Sequence, residues 1–340
     1  MDEIGWTLVA SALATGIAFG FVLQRGGFCL TRAIANAALA GDTTMLRAYA
    51  LALLVAMIGV HVILSFGLVE IPLRQLHWVS NLVGGALFGV GMILSGGCSG
   101  STWYRVGEGA VGAWVVLLGF AIGATTVAVG ALDPVRRVLQ RPVITTGAGT
   151  PPTLATATGL SPWAVIAVLA VAAALWMWRA HREIGGHTRW PWPLTGAAVG
   201  TMIAVGWCAS AYGDRPVGIT FAANTGHLLT SPMVGYPGKA TWSMWMVIGV
   251  PVGAFLSAKC AGEFGWRLPP SGSLVKLFAG GLLMGGAAII GEGCNINQGL
   301  TNSATLALGS LLTFAAMGAG AWLTLWVLYM RRSPASASPR

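Results

Sequence analysis

GGALFGVGMILSGGC, residues 84–98, decides how this chain is read, because GGLLMGGAAIIGEGC at residues 280–294 repeats it. The spacing from first glycine to cysteine is the same in both, and the second copy follows the first by 196 residues. Both runs are apolar enough to lie in a bilayer, so two thiols are delivered to matching places in two halves of one membrane protein. Repeats that set polar chemistry at equivalent membrane depths are the mark of a transporter. A weaker echo pairs GIAFGFVLQRGGFC at 16–29 with GAAVGTMIAVGWC at 196–208, shorter by one residue, and sets Cys208 against Cys29.

Composition points the same way. Of 340 residues, 55% are hydrophobic and 9% charged, and the mean hydropathy is +0.74. A soluble domain carries about 25% charged residues, so this is an all-α polytopic membrane protein. The 49 glycines fit close helix–helix approach and broken helices. A net charge of +9 reads as arginines flanking spans rather than as a nucleic-acid surface. Five cysteines form neither a CxxC pair nor a zinc spacing, which excludes a secreted disulfide framework. No metal site, cofactor or catalytic group is expected, and the chain reads as a carrier, not an enzyme. Asp2 and Glu3 open it, so no cleavable signal peptide is predicted.

Apolar stretches of about 20 residues mark spans. Nine are predicted, near 6–24, 48–69, 80–96, 110–132, 161–180, 192–209, 241–260, 272–291 and 306–329. They divide as four, one and four. After four spans the chain is back on its starting side, and the fifth carries it across. Two halves built on one plan are then inverted relative to each other. The expected organisation is a first half at 1–132, a linker with the fifth span at 133–191, a second half at 192–330 and a disordered tail at 331–340. The Pro-, Thr- and Gly-rich stretch 133–160 is the linker itself.

Lys and Arg set the orientation. Arg74, Arg136, Arg137, Arg141, Arg215 and Lys239 share the N-terminal side; Arg25, Arg32, Arg47, Arg105, Arg179, Arg182, Arg189, Lys259, Arg267, Arg331, Arg332 and Arg340 lie on the other. The richer side is cytoplasmic, so the N-terminus is predicted outside and the C-terminus inside a bacterial-type inner membrane. Four connections, 25–40, 97–108, 209–228 and 292–305, mix apolar residues with Gly, Ser, Thr and Asn. Such segments dip into the membrane as half-helices and return, buried in protein or lining a polar cavity. Two enter from each side and meet at a constriction, giving an hourglass.

The chemistry sits in SGGCSGSTW at 95–103 and GEGCNINQGLTN at 291–302. In each, a glycine break precedes Cys and then Ser99 or Asn295, residues suited to cap a short helix. A helix N-terminus offers free N–H groups and the positive end of a dipole to a small anion. A helix N-terminus acidifies a thiol and burial opposes that; for an anion the neutral S–H is the useful form. Sulfur is soft and polarizable, which favours a sulfur-containing anion over a hard one such as sulfate. The predicted substrate-binding residues are Cys98, Cys294, Cys29, Gly97, Ser99, Gly293, Asn295, Arg105 and Glu292. Arg25, Arg32 and Arg105 draw an anion in or simply anchor the spans; Glu292 and Glu108 are expected to close ion pairs that fix the breaks. Cys260 is expected to be inert, and His61 to be a packing residue.

Taken together, GGFCLTRA at 26–33, SGGCSGSTWYRVGEG at 95–109, GDRPVGIT at 213–220 and GEGCNINQGLTN at 291–302 resemble the YeeE/YedE family of membrane proteins, over nearly the whole chain. The resemblance implies thiosulfate uptake for cysteine synthesis, with selenium metabolism in some members. It implies an hourglass of pseudo-inverted halves with short re-entrant helices. It also implies three pore cysteines, here Cys29, Cys98 and Cys294, that pass thiosulfate along by S–H···S hydrogen bonds, with Cys98 central. A separate cytoplasmic sulfur carrier of the TusA type is the implied partner. Cys208 has no match in the family's pattern, which leaves another sulfur or selenium species open as substrate. A thiol–disulfide oxidoreductase needs paired, exposed cysteines, and a Cu(I) channel needs methionines clustered near the thiols; neither pattern is present.

Overall fold

Glycine-rich apolar runs, with few charges to solvate, fold here into fourteen α-helices; the computed structural model describes residues 3–147, 149–179, 190–213, 215–234 and 241–331. The first group is α1 (Glu3–Gly26), α2 (Leu30–Ala40), α3 (Thr44–Ser65), α4 (Trp78–Leu94), α5 (Ser99–Gly107) and α6 (Val111–Ala128). Between the groups lie α7 (Asp133–Leu139), α8 (Leu154–Thr158) and α9 (Pro162–Arg179). The second group is α10 (Trp192–Gly213), α11 (Ala222–Val234), α12 (Trp242–Cys260), α13 (Leu274–Ile290) and α14 (Leu308–Leu325). Among the described residues nine helices are long and apolar enough to cross a membrane and none forms a strand. They fall where the nine spans were predicted.

The packing follows the glycines. At the helix crossings a side chain on glycine would strike the neighbouring helix's backbone, so these helices approach closely where one of them carries Gly. A Cβ at Gly84 of α4 would lie 2.2 Å from the Gly291 nitrogen, and one at Gly280 of α13 would lie 2.5 Å from the Ser95 nitrogen. These are the same two positions, shifted by 196 residues. Gly89 against the Met317 carbonyl (2.2 Å) is likewise matched by Gly285 against that of Phe120 (2.0 Å). Gly16 and Gly20 of α1 meet Met246 and Val250 of α12, while Gly196 and Gly200 of α10 meet Ala48 and Ala52 of α3. Each group therefore packs on the other through corresponding helices: α1 on α12 as α10 on α3, and α4 on α14 as α13 on α6. Helix α9 stands apart and buries only Val165 and Ile166.

The structure adds detail to several expectations. The stretch 133–160 carries structure of its own. Asp133 opens α7, where Arg137 and Arg136 hold its carboxyl below the usual carboxylate range. Thr153 caps α8 in a reciprocal box with Thr156 and bridges to Ala307. In 209–228 the break comes late, because α10 runs on to Gly213. Cys208 is thus a half-buried residue inside a helix, not a break residue equivalent to Cys29. Arg47, counted as a flanking cation, is buried in α3. Arg182, Arg189, Lys239, Arg332, Arg340 and the tail from 332 onward lie outside the described residues.

Candidate functional site

The first break is made by Gly96, at φ +68°, a left-handed conformation open to glycine at little cost. It turns the chain so that α5 starts with Cys98 as its N-cap. The capping group is the thiol itself, not the following serine: Cys98 Sγ accepts from the Ser101 N–H at 3.5 Å. The Cys98 carbonyl accepts from the hydroxyls of Ser101 (3.0 Å) and Thr102 (2.8 Å). Gly97 leaves room for this turn, since a Cβ there would sit 3.0 Å from Ser101 Oγ and 3.3 Å from Arg105 Nη1. Arg105 closes the break from the far end of α5 by donating to the Gly96 carbonyl at 3.0 Å.

At the second break the residue equivalent to Gly96 is Glu292, held at φ +61°. A non-glycine residue in this region is strained, and such strain collects at functional sites. The Glu292 carboxylate meets His77 Nδ1 at 2.7 Å, which pins the break to the start of α4. Gly293 is required because a Cβ there would lie 2.3 Å from Asn297 Oδ1. Cys294 follows, fully buried. The chain then winds as a π-helical turn over Asn297–Asn302 and a 3-10 turn over Ser303–Thr305. Amides hold it: Gln298 donates to the Gly291 carbonyl (2.9 Å) and accepts from Ser310 (2.6 Å), and Asn302 donates to Asn297 (3.1 Å).

The two breaks touch at equivalent residues. Ser99 Oγ donates to Asn295 Oδ1 at 3.1 Å, and a Cβ on Gly100 would lie 3.0 Å from Ile296 Cγ1. Cys98 and Cys294 each stand one residue before this junction. Cys29, the N-cap of α2, donates from Sγ to Ser101 Oγ at 3.3 Å, so Cys29 and Cys98 share Ser101 as partner. All three thiols are buried.

Tyr49 of α3 completes the junction and carries no signal in the sequence motifs. Its hydroxyl donates to the Asn295 carbonyl (3.0 Å) and accepts from the Asn295 side chain (3.2 Å). Its ring is stacked between Phe28 (4.7 Å between centroids) and Phe314 (5.5 Å). The clue available was physical: a tyrosine inside an apolar span must find a partner for its hydroxyl.

The remaining charged residues form supports. Glu108, at the end of α5, accepts from Arg267 (2.9 Å) and Gln24 (3.1 Å); Gln24 also donates to Glu263 (3.1 Å) and accepts from Ser257 (2.5 Å). Arg25 faces Glu263 at 3.9 Å. This network ties α1, α5 and α12 together, and within it Glu108 is ion-paired with Arg267. His61 bonds the Met57 carbonyl at 2.9 Å. Cys260 is exposed at the end of α12, away from the junction. Among the described residues no group of side chains has the makings of a metal site.

The pattern of the sulphur transport family matches residues 25–323. The thiosulfate transporter TsuA of Escherichia coli (strain K12) is 27% identical over 346 residues, covering 96% of each chain. The thiosulfate transporter TsuA of Spirochaeta thermophila is 30% identical over 336 residues, covering 95% of this chain and 100% of that one. The probable transporter YedE of Escherichia coli (strain K12) is 32% identical over 135 residues, 37% of this chain and 33% of its own.

Proposed function

We propose that this multi-pass membrane protein, which belongs to the sulphur transport family, takes up thiosulfate through a path lined by Cys29, Cys98 and Cys294. The observation that carries the reading is the junction itself. One hydrogen bond, Ser99 to Asn295, joins the two breaks, with Cys98 and Cys294 beside it and Cys29 linked through Ser101. The two relatives that match end to end are named for thiosulfate transport, which supports that anion as the substrate.

The chemistry follows from what a neutral thiol offers. An S–H is a weak donor on a polarizable atom. It meets the soft terminal sulfur of thiosulfate by S–H···S hydrogen bonds, and the anion passes from thiol to thiol without a covalent step. Sulfate presents only hard, strongly hydrated oxygens and gains little from such donors. Gly97, Ser99, Gly293, Asn295, Arg105 and Glu292 complete the substrate-binding site around the thiols. The glycine contacts repeated at a constant offset support two halves, 1–132 and 192–330, joined by 133–191 as a pseudo-inverted pair, with the breaks re-entering an hourglass pore. On that reading the N-terminus faces out of an inner membrane and the C-terminus faces in. Consumption of thiosulfate inside, with a TusA-type sulfur carrier as acceptor, drives inward flow for sulfur assimilation.

The test is flux. Purified protein in liposomes should take up labelled thiosulfate and should not take up labelled sulfate. Equal uptake of the two anions would overturn the thiol-selective path.

A further inference from the structure

Beside Cys29 the structure holds a cavity of about 330 Å³ whose wall includes Thr31, Arg32, Gly96, Tyr104 and Arg105. Three features of this wall point to a ligand. Two guanidinium groups face one space, and among the described residues neither Arg32 nor Arg105 has a carboxylate partner. The nearby carboxylate, Glu108, is engaged by Arg267 at 2.9 Å. The hydroxyl of Thr31 is buried in a residue only 7% exposed and has no hydrogen-bond partner among the described residues. A buried polar group without a partner is costly and calls for an explanation. Thr31 itself lines the space bordered by the two cations, so an acceptor held there is the candidate partner.

We propose that this cavity is an oxyanion-holding station, binding tetrahedral, doubly charged sulfur oxyanions through Thr31, Arg32 and Arg105, with the Cys29 thiol at one side. For thiosulfate it rests on the transport reading above. The sulfonate oxygens accept from the Thr31 hydroxyl and the guanidinium groups, and the terminal sulfur is left toward Cys29. Oxygen and sulfur ends are thus gripped by different chemistry: charge-assisted hydrogen bonds for the hard end, a thiol for the soft end. It follows that the station does not share the selectivity of the thiol path. Sulfate offers the same oxygens, so it binds here although it is not carried.

The full-length protein in detergent, at fixed ionic strength, is titrated calorimetrically with sodium thiosulfate and with sodium sulfate. Both bind the wild type. Thr31→Val keeps the volume and removes the donor, and it weakens both anions about tenfold, the worth of one hydrogen bond to a charged group. Arg32→Gln, at an exposed position, also weakens both, and raising the salt weakens both in the wild type. Cys29→Ala weakens thiosulfate more than sulfate. Unchanged binding of both anions by Thr31→Val and Arg32→Gln overturns the station, as does a wild type that binds no sulfate. The two readings fail separately. Thr31-dependent binding in a protein that carries no thiosulfate keeps the station and removes the transport reading. Cys98-dependent uptake with Thr31→Val binding like wild type does the reverse.

Discussion

After α4 the chain breaks at Gly96 and restarts as a regular helix capped by a thiol; after α13 it breaks at Glu292 and restarts as a π-turn crowded with amides. The frames are superimposable in sequence, 196 residues apart, yet they are furnished differently. The first break presents a thiol, hydroxyls and a guanidinium, groups able to exchange partners with a passing anion. The second spends its polar groups on itself: Gln298, Asn302, Ser303 and Ser310 bond one another or the local backbone. Symmetry supplies a place where two breaks meet, and the two have diverged in how their polar groups are engaged; on the proposed function, the first is the working surface and the second its abutment. Glu292 illustrates the cost. Its left-handed backbone is strained where Gly96 is not, and its carboxylate is held by His77.

If the frames are equivalent, damage to either should be equivalent. Gly84→Ala and Gly280→Ala each push a methyl into a backbone 2.2–2.5 Å away, and each should cost about 3 kcal/mol. Thermal melts in detergent should show matched losses; a large loss for one and none for the other would break the correspondence. Asn295→Ala tests the abutment. It leaves the Ser99 hydroxyl without its buried acceptor and takes the side-chain bond from the Tyr49 hydroxyl, which keeps the backbone carbonyl, and should cost about 2 kcal/mol in the same melts, with the junction loosened and uptake lowered. Tyr49→Phe keeps the stacked ring and removes only the hydroxyl. It should cost about 1 kcal/mol while reducing uptake more than that loss of stability accounts for; normal uptake would make Tyr49 a packing residue. Smallest of all, Cys260→Ala should leave both melting and uptake unchanged, since that thiol lies exposed at the end of α12.

Much of this was legible before any coordinates. The helices were plain because a run of about 20 apolar residues has few other fates, and the two thiol positions because glycine spacing survives as a pattern. Ser99 and Asn295 were visible as partners of those thiols, although not as partners of each other; contact between equivalent residues is a property of the assembled halves. Tyr49 was hidden. A single aromatic residue within the apolar run of α3 breaks no periodicity, and its role depends on Asn295, 246 residues away. Cys208 misled for the opposite reason. Its glycine spacing copies that before Cys29, but the sequence after it, Ala209 to Gly213, continues the helix, whereas Gly26 and Gly27 end α1. Within the linker stretch the cap at Thr153 and its bridge to Ala307 could not be read, because they are tertiary facts.

The central claim is that the thiol at the first break handles the anion while the frame around it only holds the geometry. The direct test is thiosulfate uptake into liposomes by Cys98→Ala, with melting measured on the same preparation. The account predicts that uptake is abolished with melting close to wild type, because the lost cap is a weak thiol–amide contact at 3.5 Å. Wild-type uptake by a folded Cys98→Ala protein would contradict it.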